Sequence, residues 1–400
     1  VLETSSLTPA VHRRVWGLSF AHFITDLYSP VLPAVIPLLI LSSGYSYLLA
    51  GLLVTVYNLT SSMTQPVIGW AFDRSGRVIS VSASLMISAV FIALIGLVTD
   101  YPLLMLCAIL AALGHATFHP AALARVGAFC SDQNRGRLMS YFVIGGNMGF
   151  AVSPLLVGVA VGWFGVQGLV LFLLPGTLVA LGIWYLTPRD PTPRPCPESD
   201  QIRETRNPSA IGGITLLVLG AALRSWMIFA SIAYIPTFLI HRGFDLVTAN
   251  TVATLMLLAG VAGQVVGGTL SDRYGRKEYS IIGMLLAIPP FLLFMASDGI
   301  ISVIALLLFG STLWSTFAVT VAMGQEMMPG NIGLASGLVL GLAVGGGGIG
   351  VAITGALADS SSLSAALSTL PLPLIGAIGC FVLLPYPWKV LHPRGKAVTP

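Results

Sequence analysis

Twelve long, predominantly apolar stretches divide this chain, and no other feature constrains its fold as tightly. They run roughly over 15–41, 47–70, 78–99, 101–128, 138–162, 166–187, 210–240, 247–270, 278–297, 299–326, 333–358 and 364–388. Inside a bilayer no water satisfies backbone N–H and C=O groups, so only helices or a closed barrel can span it. Runs of about 20 residues without strict alternation fit helices; barrel strands would be about half as long. Charged residues make up only 8% of the chain, against about 25% in an average soluble domain. The expected fold class is an all-α integral membrane protein of twelve transmembrane helices.

The chain also repeats itself. QPVIGWAFDRSGR begins at Gln65 and QVVGGTLSDRYGRK at Gln264. Gln65, Gly69, Asp73, Arg74, Gly76 and Arg77 match Gln264, Gly268, Asp272, Arg273, Gly275 and Arg276, all at an offset of 199 residues. A period of half the chain predicts two structural repeats rather than a solenoid of short units. Each copy closes an apolar run, which places its Asp-Arg pair and glycines at a helix-to-loop junction where tight turning and helix-end bridging are needed. The Pro-rich, mixed-charge stretch between the halves reads as a linker. The expected domains are therefore an N-terminal six-helix bundle over 1–187, a cytoplasmic linker over 188–209 and a C-terminal six-helix bundle with a short tail over 210–400.

Positive charge sets the expected topology. Of the 19 Lys and Arg residues, all but Arg224 and Arg242 fall at one side of this segmentation, which makes that side cytoplasmic. Both termini are expected inside, in a multi-pass protein of the cell inner membrane. The dispersed charge carries no nucleic-acid signal, and the four cysteines show neither a disulfide framework nor metal-ligand spacing. P-loop, HExxH and CxxC patterns are absent, so no cofactor, no metal and no enzymatic activity are expected.

Ionisable groups inside a span are costly and face the bundle interior, which makes each a functional candidate. Span 1 carries His22 and Asp26, and span 4 carries His115 and His119; each pair is spaced i, i+4 and shares a helix face. At about 1.5 Å per residue, Asp26 lies about 16 Å from the cytoplasmic face, near the midplane of a core about 30 Å thick. Arg224 in span 7 lies at similar depth, since 224 − 199 = 25 puts it one residue from the Asp26 equivalent. Imidazole exchanges protons near neutral pH, so Asp26, His22, His115 and His119 form a candidate proton-coupling group; the bland alternative is hydrogen-bonded packing. Arg224 is a candidate anchor for an anionic substrate, or else half of a buried pair with Asp26. Asn58, Asn147, Trp226, Tyr234, Trp314 and Thr316 are candidates for lining a cavity, although aromatics in spans also serve as core. Glu326, ending span 10, is expected to cap or gate against the loop cations. Spans 5 and 11, GGNMGFAVSPLLVG and GLAVGGGGIGVAITG, have the small-residue density that allows helices to pack closely or slide. Pro30, Pro33 and Pro37 predict a bend in span 1.

The doubled Gly-x3-Asp-Arg-x-Gly-Arg loop, twelve spans and a central linker resemble the major facilitator superfamily over almost the whole chain. That resemblance implies two six-helix bundles around a cavity lined by spans 1, 4, 7 and 10, working by alternating access. HFITDLYSPVLPAVIPLL, FHPAALARV and GQEMMPGNIGLASGL further resemble the fosmidomycin-resistance group of drug exporters, with Ala121 where that group often carries an acid. The function expected is proton-coupled efflux of small, anionic or phosphonate-like molecules. The partners expected are a small-molecule substrate, protons and the lipid bilayer, with a monomer sufficient. The alternatives are a symporter importing a small organic anion and a transport-inactive sensor or assembly protein of the same fold.

Overall fold

The computed structural model describes residues 9–75, 79–129, 135–186, 208–329 and 332–389, and within them every regular element is helical. Helices occupy all twelve expected spans. They are α1 (Pro9–Leu27) with α2 (Val31–Leu41), α3 (Tyr47–Ser75), α4 (Val81–Ile95), α5 (Tyr101–Gly127), α6 (Arg135–Phe164) and, after a 3-10 segment over Gly165–Phe172, α7 (Leu173–Leu186). The second half comprises α8 (Pro208–His241), α9 (Leu246–Tyr274), α10 (Arg276–Ala296), α11 (Gly299–Met327), α12 (Ile332–Gly337) leading through a π turn into α13 (Ala343–Ser360), and α14 (Leu363–Ser368) with α15 (Pro371–Leu383). The expected linker lies outside the described residues except for Pro208 and Ser209, which open α8; Gly76 and Arg77 also lie outside them.

Span 1 is broken rather than merely bent. Pro30 has no N–H to continue the ladder, and the chain crosses the gap with i to i−3 bonds from Tyr28 N to Thr25 O and from Ser29 N to Asp26 O, both 3.2 Å. The break follows Asp26 by two residues. Pro33 and Pro37 are accommodated within α2. Span 12 ends earlier than its apolar pattern suggests, at Leu383, because Pro385 and Pro387 cannot extend it.

The described residues pack as two units. One is drawn from Val1–Val31 and Thr64–Pro197, the other from Leu32–Met63 and Glu198–Pro400. In the first, α1 pairs chiefly with α6 and α4 with α5; in the second, α8 pairs with α13 and α10 with α11. These are the same span pairs, 1 with 5 and 3 with 4, repeated one half-chain later.

The α1–α6 pair shows what the small residues of span 5 do. A Cβ on Gly149 would stand 1.9 Å from Phe23 O, and one on Gly145 would stand 2.3 Å from Ser19 O. Backbone meets backbone, so the hydroxyl of Ser19 donates to Tyr141 O at 2.7 Å and that of Ser153 to Leu27 O at 2.6 Å. In the second unit Gly350 similarly admits the Trp226 ring, which would lie 2.1 Å from a Cβ.

The second motif copy closes more tightly than its sequence suggests. α9 continues through Asp272 and Arg273, and the chain turns only at Gly275, whose φ of 101° suits glycine. Arg276 then bridges Asp272 at 3.2 Å and, through Nε, Glu326 on α11 at 2.9 Å. The residues after α15 lie across this junction. The Tyr386 hydroxyl donates to Glu326, Lys389 N–H donates to Glu278 and Lys389 Nζ to Asp272 O. Lys277, buried, donates to Leu384 O at 2.7 Å with its ammonium 4.2 Å from the Trp388 ring centre. Burial, with the Glu326 carboxylate beside it, holds the Tyr386 phenol above its ordinary range.

Two outcomes are expected. Gly149→Ala drives a Cβ into backbone that cannot yield and destabilises the protein by about 1–3 kcal/mol. Gly182→Ala, with nothing within 4 Å, is neutral or slightly stabilising, and thermal denaturation in detergent separates the two. Arg276→Ala and Glu326→Ala are expected to be non-additive, with a coupling of about 0.5–1 kcal/mol because both groups are part-exposed. The melting shift of the double variant should fall short of the sum of the single ones.

Candidate functional site

The first unit gathers the residues that the i, i+4 spacing singled out. Asp26 lies one α-turn above His22 on α1, and its Oδ2 is 3.1 Å from His22 Nε2. Its other oxygen, Oδ1, is 3.3 Å from His119 Nε2 on α5. Both histidines are oriented from behind. His22 Nδ1 is 2.8 Å from Phe142 O on α6, and His119 Nδ1 is 3.0 Å from His115 O. A carbonyl oxygen only accepts, so each Nδ1 carries the hydrogen and donates. Each Nε2 therefore faces the Asp26 carboxylate as the second ring nitrogen. A neutral imidazole would oppose lone pair to lone pair there, so each contact requires a proton, or another cation, between its two atoms.

Packing holds this geometry. The His22 ring stacks on Phe142 at 4.1 Å and meets His119 edge-on at 5.1 Å. His115 is buried with its ring 4.6 Å from that of His119. It supports His119 through its backbone carbonyl, and the Asp26 ion pairs among the described residues are with His22 and His119. Gly146 is required at this point, since a Cβ would lie 2.4 Å from His22 Nε2 and 2.5 Å from Asp26 Oδ2. His22 is nearly enclosed, while the side chains of Asp26 and His119 retain 16% and 20% of their surface.

The second unit holds Arg224, 1% exposed, on α8. Its Nη1 donates to Thr316 O at 2.9 Å and to the Thr320 hydroxyl at 2.5 Å, and its guanidinium lies 5.3 Å from the Phe317 ring centre. The Thr316 hydroxyl stands 3.3 Å away. Among the described residues no carboxylate pairs with Arg224 and its Nε has no hydrogen-bond partner. A buried cation held only by neutral oxygens has unused capacity for an anion.

The remaining candidates divide. Trp226 Nε1 donates to the Thr354 hydroxyl at 2.9 Å, and the Tyr234 hydroxyl lies 2.9 Å from Tyr47 O and 3.2 Å from Val351 O. Both brace helices within the second unit. Trp314 packs against Gly260 and Phe317. Asn58 is buried beside Gly348 with its Nδ2 unpartnered among the described residues, and Asn147 is half-buried on α6. In the first motif copy Arg74 lies over Trp70 and a Cβ on Gly69 would meet nothing; Arg273 in the second copy lies over Tyr274. Gln65 and Gln264 are part-exposed on α3 and α9, and a Cβ on Gly268 would meet nothing. Sequence reasoning missed Lys277, Glu278, Tyr386 and Lys389. Their signal was the charged pair opening span 9 together with the aromatic, proline-rich tail.

Comparison with known proteins agrees with this architecture. The family model described as Major Facilitator Superfamily matches residues 18–339 and 217–398. The chain is 29% identical over 379 residues to the fosmidomycin resistance protein of Escherichia coli (strain K12), covering 92% of this chain and 91% of that one. It is also 29% identical over 387 residues to the uncharacterized MFS-type transporter YfnC of Bacillus subtilis (strain 168), covering 93% of each. Among solved structures, a bacterial homolog of the human lysosomal transporter Spinster, in an inward-facing and occupied conformation, superimposes with a TM-score of 0.80 at 19% identity. That match covers 94% of this chain and 97% of the other. The nucleoside transporter NupG gives 0.72 at 15% identity, covering 94% and 100%. Helices fill all twelve expected spans, the same helix pairs recur in both units, and the family model covers nearly the whole chain: the protein belongs to the major facilitator superfamily.

Proposed function

We propose that this transporter is a proton-coupled exporter of small anionic molecules, phosphonates among them, working by alternating access in the cell inner membrane. The observation that carries the reading is the Asp26 carboxylate clasped between His22 and His119 within a membrane-embedded unit. Groups that exchange protons near neutral pH, placed where charge is costly, are the usual means of linking a proton gradient to a conformational cycle. In this scheme the Asp26 cluster takes protons from outside and releases them to the cytoplasm.

Arg224 is the substrate anchor. Among the described residues its threonine cradle leaves the guanidinium without a carboxylate, so an anionic group would complete it. The name of the E. coli relative directs the first substrate trial to fosmidomycin. The ties between Arg276, Glu326 and the residues after α15 act as the cytoplasmic gate of the C-terminal bundle. Its counterpart in the first copy, Gln65 to Arg77, serves the N-terminal bundle.

The test is proton flux in proteoliposomes with a trapped pH dye, using fosmidomycin and a panel of phosphonates, organic acids and lipophilic drugs. Substrate-dependent flux is expected, and Asp26→Asn should abolish it. Undiminished pH-driven transport by Asp26→Asn would sink the coupling scheme. Arg224→Ala should raise the half-saturating concentration of anionic substrates by about tenfold or more, the loss of a charged hydrogen bond. Neutral compounds should be little affected.

A further inference from the structure

We propose that His22, Asp26 and His119 form a binding site for one divalent transition-metal ion of the zinc class. Two imidazoles and one carboxylate offer ligand atoms that all lie within 4.8 Å of one another. The sequence marks these residues only as proton-exchanging groups on two spans and shows no metal-ligand spacing, because one ligand comes from α5 and two from α1.

Three features favour a metal over a chance cluster. The first is orientation. Metal-bound histidines almost always donate their other ring N–H to a backbone carbonyl, carboxylate or water, which fixes the tautomer and aims the free nitrogen. Here both do so, His22 to Phe142 O and His119 to His115 O. The second is spacing. Tetrahedral zinc with bonds of about 2.1 Å sets its ligand atoms about 3.4 Å apart. His22 Nε2 lies 3.1 Å from Oδ2 and His119 Nε2 3.3 Å from Oδ1, and the ligand atoms of the three residues fall within 4.8 Å of one another, so an ion would have to draw the farther pair together. The third is enclosure. The bare backbone of Gly146 is what allows His22 and Asp26 to share one pocket with α6 packed against them. The part-exposed His119 and Asp26 still leave an approach for an ion.

The charges also balance sensibly. Two neutral imidazoles and a carboxylate carry one negative charge, so a dication leaves a single positive charge and an open fourth position. Water or an anion would fill it, as in zinc sites with three protein ligands. Imidazole and carboxylate together suit zinc and its neighbours, whereas magnesium and calcium favour all-oxygen sets.

This proposal shares residues with the proton reading but rests on coordination geometry, and its readout is binding rather than flux. The experiment uses the purified full-length protein in detergent, freed of any affinity tag and of metal, titrated with Co2+ at one fixed pH. Visible ligand-field absorption reports low-coordinate N/O ligation, and Zn2+ is then added as competitor. The expected result is saturation at one equivalent with displacement by one equivalent of Zn2+. His119→Gln should weaken binding by about tenfold or more, and Asp26→Asn likewise. His241→Gln, at the far end of α8, should leave the titration unchanged. Absence of a saturable Co2+ band, or a band undiminished in His119→Gln, overturns the proposal. His119 is part-exposed, so this variant carries the test even if Asp26→Asn fails to fold. Asp26→Asn losing flux while the wild type binds no metal would leave the transport reading standing alone.

Discussion

The backbone-to-backbone approach of α1 and α6 is the contact on which the candidate site depends. Gly145, Gly146 and Gly149 remove the side chains that would hold these helices apart. At that separation the Phe142 carbonyl comes within 2.8 Å of His22 Nδ1, which decides the tautomer and points Nε2 at Asp26. Wider packing would leave the histidine free to rotate and the carboxylate without a fixed partner. In a membrane interior the net gain from each such polar contact is modest, but leaving the groups unpaired is costly. Packing and polar satisfaction therefore reinforce each other here.

Both halves use one framework for opposite chemistry. The α1–α6 and α8–α13 pairs occupy equivalent positions in the repeat, and position 224 maps to 25, beside Asp26. The first half places a carboxylate between imidazoles; the second places a guanidinium among threonine oxygens. The glycines differ in use as well. In α6 Gly145 and Gly149 face backbone and Gly146 makes room for the His22 and Asp26 side chains, whereas in α13 Gly350 faces the Trp226 ring. A shared helix-pairing scheme thus leaves each unit free to specialise at the residues its helix pair encloses.

The residues after α15 extend this logic to the helix ends. Gly275 forces the α9–α10 turn, which brings Arg276 back over Asp272 and toward Glu326. Tyr386 then adds a donor to Glu326, and Lys389 donates through its N–H to Glu278 and through Nζ to Asp272 O. The ion pairs of Arg276 with Asp272 and Glu326 are individually small because those groups are partly wet, whereas the Glu278 carboxylate that receives Lys389 is buried. Their concentration on one junction is what makes that junction a candidate gate.

The sequence by itself determined the helical class, the twelve spans, the repeat and the identity of the charged intramembrane residues. These follow from local facts: apolar run length, a fixed offset, and the i, i+4 face shared by His22 and Asp26. It also anticipated that Pro30 would disturb span 1 and that Glu326 would meet a loop cation. Only the tertiary structure decided that His119, rather than His115, reaches Asp26. It also decided that Trp226 and Tyr234 brace helices, and that Arg224 rests on Thr316 and Thr320. Helical periodicity orders residues around one axis and says nothing about the rotation of a neighbouring helix. That rotation is set by how glycine-lined surfaces mesh, which is a property of two helices together and of neither alone.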